Sequence, residues 1–171
     1  MKLALCIYLF VLLLPIQSFA DAISVGRGQS TSFDESNTKR YAYIIESKYV
    51  IPYFTEKQLT LDWDISTHFW QNLYGPDITA ASIVPLVKYT IETHDITFVA
   101  RFGIGIAYVD QTRWGNRELG DNWMFEDKLE IGLEVTAQHR VAMLFQHFSN
   151  AALNSKNDGT NIVSLNYSYH W

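Results

Sequence analysis

The C-terminal segment alternates apolar and polar residues without interruption, and this pattern constrains the fold more than any other feature. The apolar positions are Val163, Leu165, Tyr167, Tyr169 and Trp171. Polar residues fill every position between them. Successive side chains of a β-strand point to opposite faces, so a two-residue period predicts a strand with one apolar and one polar face.

The same alternation recurs along most of the chain. The predicted strands are Ile23–Ser30, Arg40–Lys48, Gln58–Phe69, Ile78–Tyr89, Asp95–Tyr108, Phe125–Ala137, Val141–Ser149 and Thr160–Trp171. Several are longer than the usual soluble strand of about five or six residues. Pro85 weakens the fourth strand, because proline has no N–H to donate to a ladder. Thr31–Lys39 and Gln111–Asn122 are predicted to be long loops.

The polar face of these strands is too strongly charged for a dry core. Its ionisable side chains include Asp62, Asp64, Arg101, Lys128, Glu130 and Glu134. We expect them to form the ion-paired interior of a closed barrel whose apolar face contacts lipid. The aromatic content of 15% suits the interfacial girdles of such a barrel. The predicted fold is an all-β, eight-stranded antiparallel transmembrane β-barrel, and the alternative is a soluble exported barrel of the lipocalin kind.

The N-terminus predicts export. Residues 1–20 have the pattern of a signal peptide: Lys2, the apolar run Leu3–Leu14, a break at Pro15 and a small-residue cleavage site ending at Ala20. The barrel is then predicted to occupy residues 21–171. Cys6, the only cysteine, lies in the signal, so no disulfide is expected. The net charge of −5 argues against nucleic acid as a partner.

One predicted strand carries polar residues on its apolar face. Val141, Met143 and Phe145 are predicted to face lipid, and His147 and Ser149 continue their parity. Polar groups on this face are costly, and a base two residues from a hydroxyl suits a serine hydrolase. We therefore predict His147 as general base and Ser149 as nucleophile, against the alternative of two merely interfacial residues.

Topology predicts the depth of this pair. An outer-membrane barrel with an even number of strands begins on the periplasmic side, so the strand before last runs toward the cell exterior. His147 and Ser149 end that strand. They are expected beside the outer leaflet of a Gram-negative outer membrane, where the nearest ester bonds are those of lipid A.

Two asparagines are predicted to support the pair. Asn161 has outward parity just across the last hairpin, and its amide oxygen can accept a hydrogen bond from the histidine ring and fix the tautomer. Asn150 points inward by parity but adjoins Ser149. Its amide, with nearby loop N–H groups, is predicted to form an oxyanion hole.

At these residues the chain resembles the lipid A 3-O-deacylase (PagL) family of outer-membrane barrels, whose signature is His-x-Ser-Asn-Ala followed by a short loop with Asn-Asp-Gly. The matching segments are His147-Phe148-Ser149-Asn150-Ala151 and Asn157-Asp158-Gly159, with further similarity at Phe125-Glu126-Asp127 and Phe102-Gly103-Ile104-Gly105. The resemblance implies hydrolysis of the acyl chain ester-linked at position 3 of lipid A. Ser149 and His147 would carry the reaction without metal or cofactor.

The chain departs from the family pattern at two positions. The family's third catalytic member is a glutamate, and the matching residue is Asn161. Ala152 stands where family members often have glycine, and it is expected at the oxyanion hole. Asp158 is predicted to serve the turn beside Gly159 rather than to contact His147.

Two other functions remain open from the sequence. The site also resembles outer-membrane phospholipase A, which uses a His-x-Ser pair oriented by asparagine, so a phospholipase is one alternative. A barrel with impaired catalysis and a structural or lipopolysaccharide-binding role is the other. The expected partners are lipid A, the outer-membrane bilayer and the barrel assembly machinery, which recognises an aromatic-ended last strand; a homodimer is also compatible. The remaining histidines lack metal-ligand spacing.

Overall fold

A computed structural model of the protein describes residues 21–32, 36–50, 59–72 and 75–171. The predicted signal peptide and Gln58 lie outside the described residues. The strands are β1 Ala22–Ser30, β2 Ser36–Val50, β3 Thr60–Asn72, β4 Ile78–Glu92, β5 Thr97–Val109, β6 Arg113–Trp114, β7 Arg117–Glu118, β8 Trp123–Thr136, β9 His139–Ser149 and β10 Thr160–His170. Within these residues, no helix is long and apolar enough to cross a membrane.

Eight of the strands close into an antiparallel barrel, as the alternation predicts. Each barrel strand pairs with the next barrel strand along the chain, so that β5 pairs with β8. The barrel closes where β1 pairs with β10, from Ala22↔His170 to Ser30↔Ile162. The short strands β6 and β7 form a separate hairpin inside the predicted loop Gln111–Asn122. The predicted loop Thr31–Lys39 is too long, because β2 begins at Ser36.

The two faces of the barrel differ as predicted. Apart from Asp127, the outward side chains of β5 and β8 are apolar, and many are exposed, with Phe102 59%, Ile104 63% and Ile131 59% exposed. A continuous surface of this kind cannot remain in water, and lipid covers it in a membrane-spanning barrel. The expectation of a transmembrane barrel is therefore confirmed, and the soluble alternative is not.

The interior contains the predicted ion pairs. Lys128 Nζ lies 2.7 Å from Asp64 Oδ1, and Arg40 pairs with the other oxygen of the same carboxylate. Arg101 pairs with Glu130 and lies 3.7 Å from Asp62. Glu134, also predicted to lie inside, accepts a hydrogen bond of 2.9 Å from Arg140. Buried charges of both signs therefore compensate one another across strands, which lowers the cost of removing them from water.

An apolar plug fills one end of the barrel, which we call the loop end because β9 ends and β10 begins there. Its members are Trp70, Ile78, Ala80, Ala107, Val109, Trp114, Leu119, Met124, Phe148 and Ile162. The rings of Trp70 and Trp114 lie 4.9 Å apart. The plug gives the strand ends at this side of the barrel a packed support.

Pro85 lies within β4, although its missing N–H predicts a weak strand. It pairs with Trp63 of β3, while the ladder to β5 is interrupted between Ile83↔Ile106 and Val87↔Phe102. The register is the same on both sides of the gap. The barrel thus tolerates the proline by losing ladder bonds on one side only.

Candidate active site

The last residues of β9 present the predicted base and nucleophile on the outer surface. Phe148 points inward and is fully buried, with its ring centroid 4.7 Å from that of Trp70. His147 and Ser149 point the opposite way and are half-buried. Because the ring between them is held in the packed plug, the backbone carries both side chains outward on a rigid support.

The ring of His147 is oriented by Asn161. The two residues are directly paired between β9 and β10, and His147 Nδ1 lies 2.7 Å from Asn161 Oδ1. An amide oxygen only accepts hydrogen bonds, so Nδ1 carries the proton and donates it to this contact. The lone pair is then on Nε2, which is the tautomer that a general base needs.

The backbone of Asn161 is itself anchored to the end of β1. Asn161 N donates to Ser32 Oγ at 3.0 Å, and Asn161 O accepts from Thr31 N at 3.0 Å. The backbone of Asn161 is therefore held by the two residues that follow β1, Thr31 and Ser32. These two hydrogen bonds hold the backbone that carries the side-chain amide beside His147.

Ser149 shares the outward face with His147 two residues earlier. Their backbones are roughly 7 Å apart by the strand rise, and no hydrogen bond joins the two side chains among the described contacts. Nucleophile and base contacts of this kind are often long before substrate binds and shorten in the reacting complex. The two side chains therefore share one surface, without a hydrogen bond between them among the described contacts.

Gly159 lies close to both side chains. A Cβ at this position would lie 3.2 Å from His147 Cε1 and 3.7 Å from Ser149 Cβ. The residue also has a φ of 58°, in the left-handed region that favours glycine. The Asn-Asp-Gly turn therefore keeps the space above the pair open.

Replacing Gly159 by alanine is expected to lower ester hydrolysis about tenfold, because small displacements of a catalytic ring are costly. The added methyl would press against the His147 ring, and the left-handed backbone would be strained. Initial hydrolysis rates of the purified barrel measure the effect. Gly75→Ala is the matched control, since its Cβ would make only an ordinary contact 3.5 Å from Gly115 N. Equal rates for the two variants would contradict this role.

The amide of Asn150 is engaged away from the reacting groups. The residue is 1% exposed, and its Nδ2 donates to Leu119 O at 3.0 Å and to Lys156 O at 2.7 Å. Its backbone N–H donates to Asn157 Oδ1 at 2.9 Å. The N–H groups of Asn150 are therefore all engaged in this structure, which does not favour the oxyanion-hole role predicted for its amide. Inward parity directs the amide to loop carbonyls that need donors.

Ala151 and Ala152 follow with unusual backbone angles. Their φ values are 51° and 60°, which are uncommon for residues other than glycine. Both residues are exposed, and among the described contacts neither N–H has an acceptor. Such strain is concentrated at functional sites. The left-handed angle at Ala152 is also one that a glycine would adopt at lower cost.

The β6–β7 hairpin holds the turn that carries Gly159. Glu118 N donates to Asp158 Oδ2 at 2.7 Å, and Asp158 N donates to Glu118 O at 3.0 Å. Arg117 Nε donates to Gly159 O at 3.0 Å. Hydrogen bonding from Lys156, with the charges of Lys156 and Arg113, lowers the pKa of the Glu118 carboxyl. Asp158 therefore serves the turn, as the sequence favours, with its carboxylate hydrogen-bonded to the hairpin.

Arg117 and the hairpin are the parts of this region that sequence reasoning missed. The hairpin contacts the turn from about forty residues earlier in the chain, and no motif marks that approach. Gly159 was detectable through its Asn-Asp-Gly turn. The other histidines have separate surroundings; His68, for example, lies 3.1 Å from Ser66 Oγ inside the barrel. The described residues contain no metal-binding group of three His, Cys, Asp or Glu side chains.

Comparisons with known proteins agree with the geometry. A profile of the lipid A 3-O-deacylase (PagL) family matches residues 43–170. Lipid A deacylase PagL of Pseudomonas aeruginosa is 32% identical over 111 residues, covering 64% of this chain and 64% of that protein. Lipid A deacylase PagL of Bordetella bronchiseptica is 28% identical over 104 residues, covering 61% of this chain and 52% of that protein. The chain thus spans less than two thirds of the length of these relatives.

A solved structure extends the similarity to nearly the whole barrel. The crystal structure of the outer membrane enzyme PagL matches with a TM-score of 0.78 and 27% identity, covering 88% of this chain and 99% of that one. The family profile includes His147, Ser149 and Asn161 and covers more than half of the chain. The chain is therefore an outer-membrane β-barrel that belongs to the lipid A 3-O-deacylase (PagL) family.

Proposed function

We propose that the protein is a serine esterase that hydrolyses the acyl chain ester-linked at position 3 of lipid A. Family membership supports this activity. The observation that carries the proposal is the hydrogen bond of 2.7 Å between His147 Nδ1 and Asn161 Oδ1, with Ser149 on the same lipid-facing surface. An esterase with this arrangement acts on a lipid without removing it from the membrane.

The loop end faces the cell exterior in this proposal. The two barrel termini meet at the opposite end, where Trp171 N donates to Asp21 O at 3.2 Å. Outer-membrane barrels have short turns on the periplasmic side and long loops outside. The connection Ala137–Gln138 after β8 is short, while Asn150–Gly159 after β9 is long. His147 and Ser149 would then meet the outer leaflet and its lipopolysaccharide.

Hydrolysis would proceed through an acyl-enzyme. Ser149 Oγ attacks the ester carbonyl carbon while His147 Nε2 takes the hydroxyl proton. The tetrahedral intermediate collapses, the C–O bond to the sugar breaks, and His147 returns its proton to the sugar oxygen. Water then attacks the acyl-serine with His147 again as base, which releases the fatty acid and restores Ser149.

The oxyanion of both intermediates needs N–H donors. The backbone N–H groups of Ala151 and Ala152 are the proposed donors, because they adjoin Ser149 and lack other acceptors among the described contacts. Backbone donors of this kind stabilise the developing charge without reorganisation. In this proposal Ala152 contributes to the oxyanion hole through its backbone N–H rather than its side chain.

Two exposed cations beside a mostly apolar groove on the outer wall support an anionic lipid as substrate. Arg27 and Lys39 are directly paired between β1 and β2, and both are exposed. They line a groove of about 430 Å³ with Tyr41, Leu165 and Tyr167 among the other walls. Like charges directly opposite each other destabilise a sheet, so an anion that bridges them would be favoured. Lipid A is an anionic lipid of this kind, because its sugars carry phosphate groups.

Replacing Arg27 and Lys39 together by glutamine is expected to raise KM for phosphorylated lipid A roughly 5- to 20-fold with little change in kcat, because uniform binding is lost. Dephosphorylated lipid A should show no such difference. Arg113→Gln is the control, an exposed cation on the β6–β7 hairpin. A fall in kcat with unchanged KM would contradict a binding role for the groove.

Asn161 favours a second candidate function, because its contact with His147 resembles outer-membrane phospholipase A, whose His-x-Ser pair is oriented by an asparagine. The test incubates the refolded barrel with lipid A and, separately, with a glycerophospholipid. Loss of one acyl chain from lipid A alone supports deacylation, and lysophospholipid with intact lipid A supports the phospholipase. Folded protein that releases no fatty acid from either lipid would overturn both.

A further inference from the structure

A carboxylate lies beside the catalytic histidine on the strand opposite Asn161. Asp127 of β8 is directly paired with His147 of β9. It is half-buried and shares its face with Phe125 and Leu129, which are 37% and 46% exposed to the outside. His147 is therefore flanked on the outer wall by an amide from β10 and by a carboxylate from β8.

The position of Asp127 is unusual for this barrel. Among the described residues of the barrel strands, it is the one acidic side chain with outward parity. The buried acidic side chains of the interior have cationic neighbours, as Asp64 has Arg40 and Lys128. Asp127 makes no ion pair or hydrogen bond among the described contacts. A charge on the lipid-facing surface is unfavourable, so its presence requires a compensating role.

His147 is the neighbour that can provide that compensation. On the other side Asp127 pairs with Ile104 of β5, and its same-face neighbours along β8, Phe125 and Leu129, are apolar. Cβ atoms of directly opposed residues are about 4.5–5.5 Å apart. Side chains on such neighbouring Cβ atoms are close enough for a carboxylate to attract an imidazolium without a hydrogen bond between them.

The reaction creates such an imidazolium. Asn161 orients the ring through Nδ1 but carries no charge, so it does not stabilise the protonated ring as a carboxylate would. We propose that Asp127 supplies this charge as a positioning residue acting through His147, which divides the task of the family glutamate between two strands. The inference rests on the proposed esterase function.

Other charged groups near the histidine are already engaged. Above the ring, Arg117 donates to Gly159 O, and the Asp158 carboxylate accepts from Glu118 N. On the β1 side, the contacts of Asn161 come from Ser32 and Thr31, which are neutral. Asp127 is thus the carboxylate left to respond to a charge on His147.

The test compares Asp127→Asn with Asp127→Glu in the full barrel acting on lipid A. Asp127→Asn should lower kcat roughly 10- to 100-fold with KM changed less than about twofold, because only the transition state is affected. Asp127→Glu should retain most of the rate, since its charge is kept. Asp95→Asn, at the exposed turn between β4 and β5, is the matched control. Mobility of unheated samples on a gel verifies folding of every variant.

A rescue experiment distinguishes an electrostatic role of Asp127 from a structural one. Asn161→Glu should restore activity to Asp127→Asn, while the same change in the wild-type background should raise the rate much less. A kcat of Asp127→Asn equal to wild type, or a failure of Asn161→Glu to restore it, would overturn the inference. If wild-type protein is itself inactive on lipid A, the proposed function fails instead, so the two failures are distinguishable.

Discussion

Replacing Ser149 by alanine should reduce lipid A deacylation at least about 10³-fold, because the group that forms the acyl-enzyme is removed. Barrel stability should be nearly unchanged. Ser149 is half-buried on the outer wall and makes no side-chain hydrogen bond among the described contacts, while the adjacent Phe148 keeps its packing in the plug. Initial rates of fatty acid release, with refolded barrel in detergent micelles, measure the effect.

The control for this substitution is Ser155→Ala. Ser155 lies in the same connection after β9, and its Oγ contacts only the neighbouring Asn154 at 3.3 Å among the described contacts. It should retain the wild-type rate. If Ser149→Ala kept more than a tenth of the turnover, the hydroxyl would not be the nucleophile.

Replacing Lys128 by methionine should have the largest effect on stability. Lys128 Nζ lies 2.7 Å from Asp64 Oδ1, 2.9 Å from Ser66 Oγ and 3.3 Å from Glu126 Oε1. Without the cation, two buried carboxylates lose a shared partner. Breaking a buried ion pair on one side typically costs about 3–5 kcal/mol of unfolding free energy. Urea unfolding of the barrel in lipid vesicles measures the loss.

A surface lysine provides the comparison. Lys156 is 67% exposed and lies 3.1 Å from Glu118 in the loops. Exposed pairs of this kind contribute about 0–1 kcal/mol, so Lys156→Met should scarcely change the unfolding curve. Equal losses for the two variants would show that the interior network does not stabilise the barrel.

The barrel was predictable because its alternation reports side-chain direction directly. The same parity correctly separates the buried Asp64 and Lys128 from the exposed Phe102 and Ile104. Strand ends were less predictable, since polar residues such as Ser36 suit both a strand and a loop. Pro85 suggested an interrupted strand, yet the pairing with β3 persists beside it, because a proline removes only one donor.

The candidate site was likewise predictable only in part from the sequence. Parity and spacing predict that His147, Ser149 and Asn161 share an outward face, and the structure brings the first and last into contact. The engagement of Asn150 depends on carbonyls contributed by two loops, which periodicity does not reveal. The register that sets Asp127 opposite His147 is likewise absent from a single strand's pattern, because it is fixed by pairing between strands.

The replacement of the family glutamate by Asn161 changes how the site is expected to work. An amide retains the hydrogen bond that fixes the tautomer of His147 but not the negative charge. The carboxylate on β8 offers that charge from the opposite flank. A single residue's task would then be shared by two strands that both pair with β9.

The most direct measurement is a mass spectrum of lipid A from Gram-negative cells that produce either the wild-type protein or Ser149→Ala, with equal amounts of folded barrel. The wild-type cells should show lipid A that has lost one ester-linked acyl chain from position 3, and the variant cells should show intact lipid A. An unchanged acyl count in cells with folded wild-type barrel, or the same loss in both cultures, would contradict the proposed esterase.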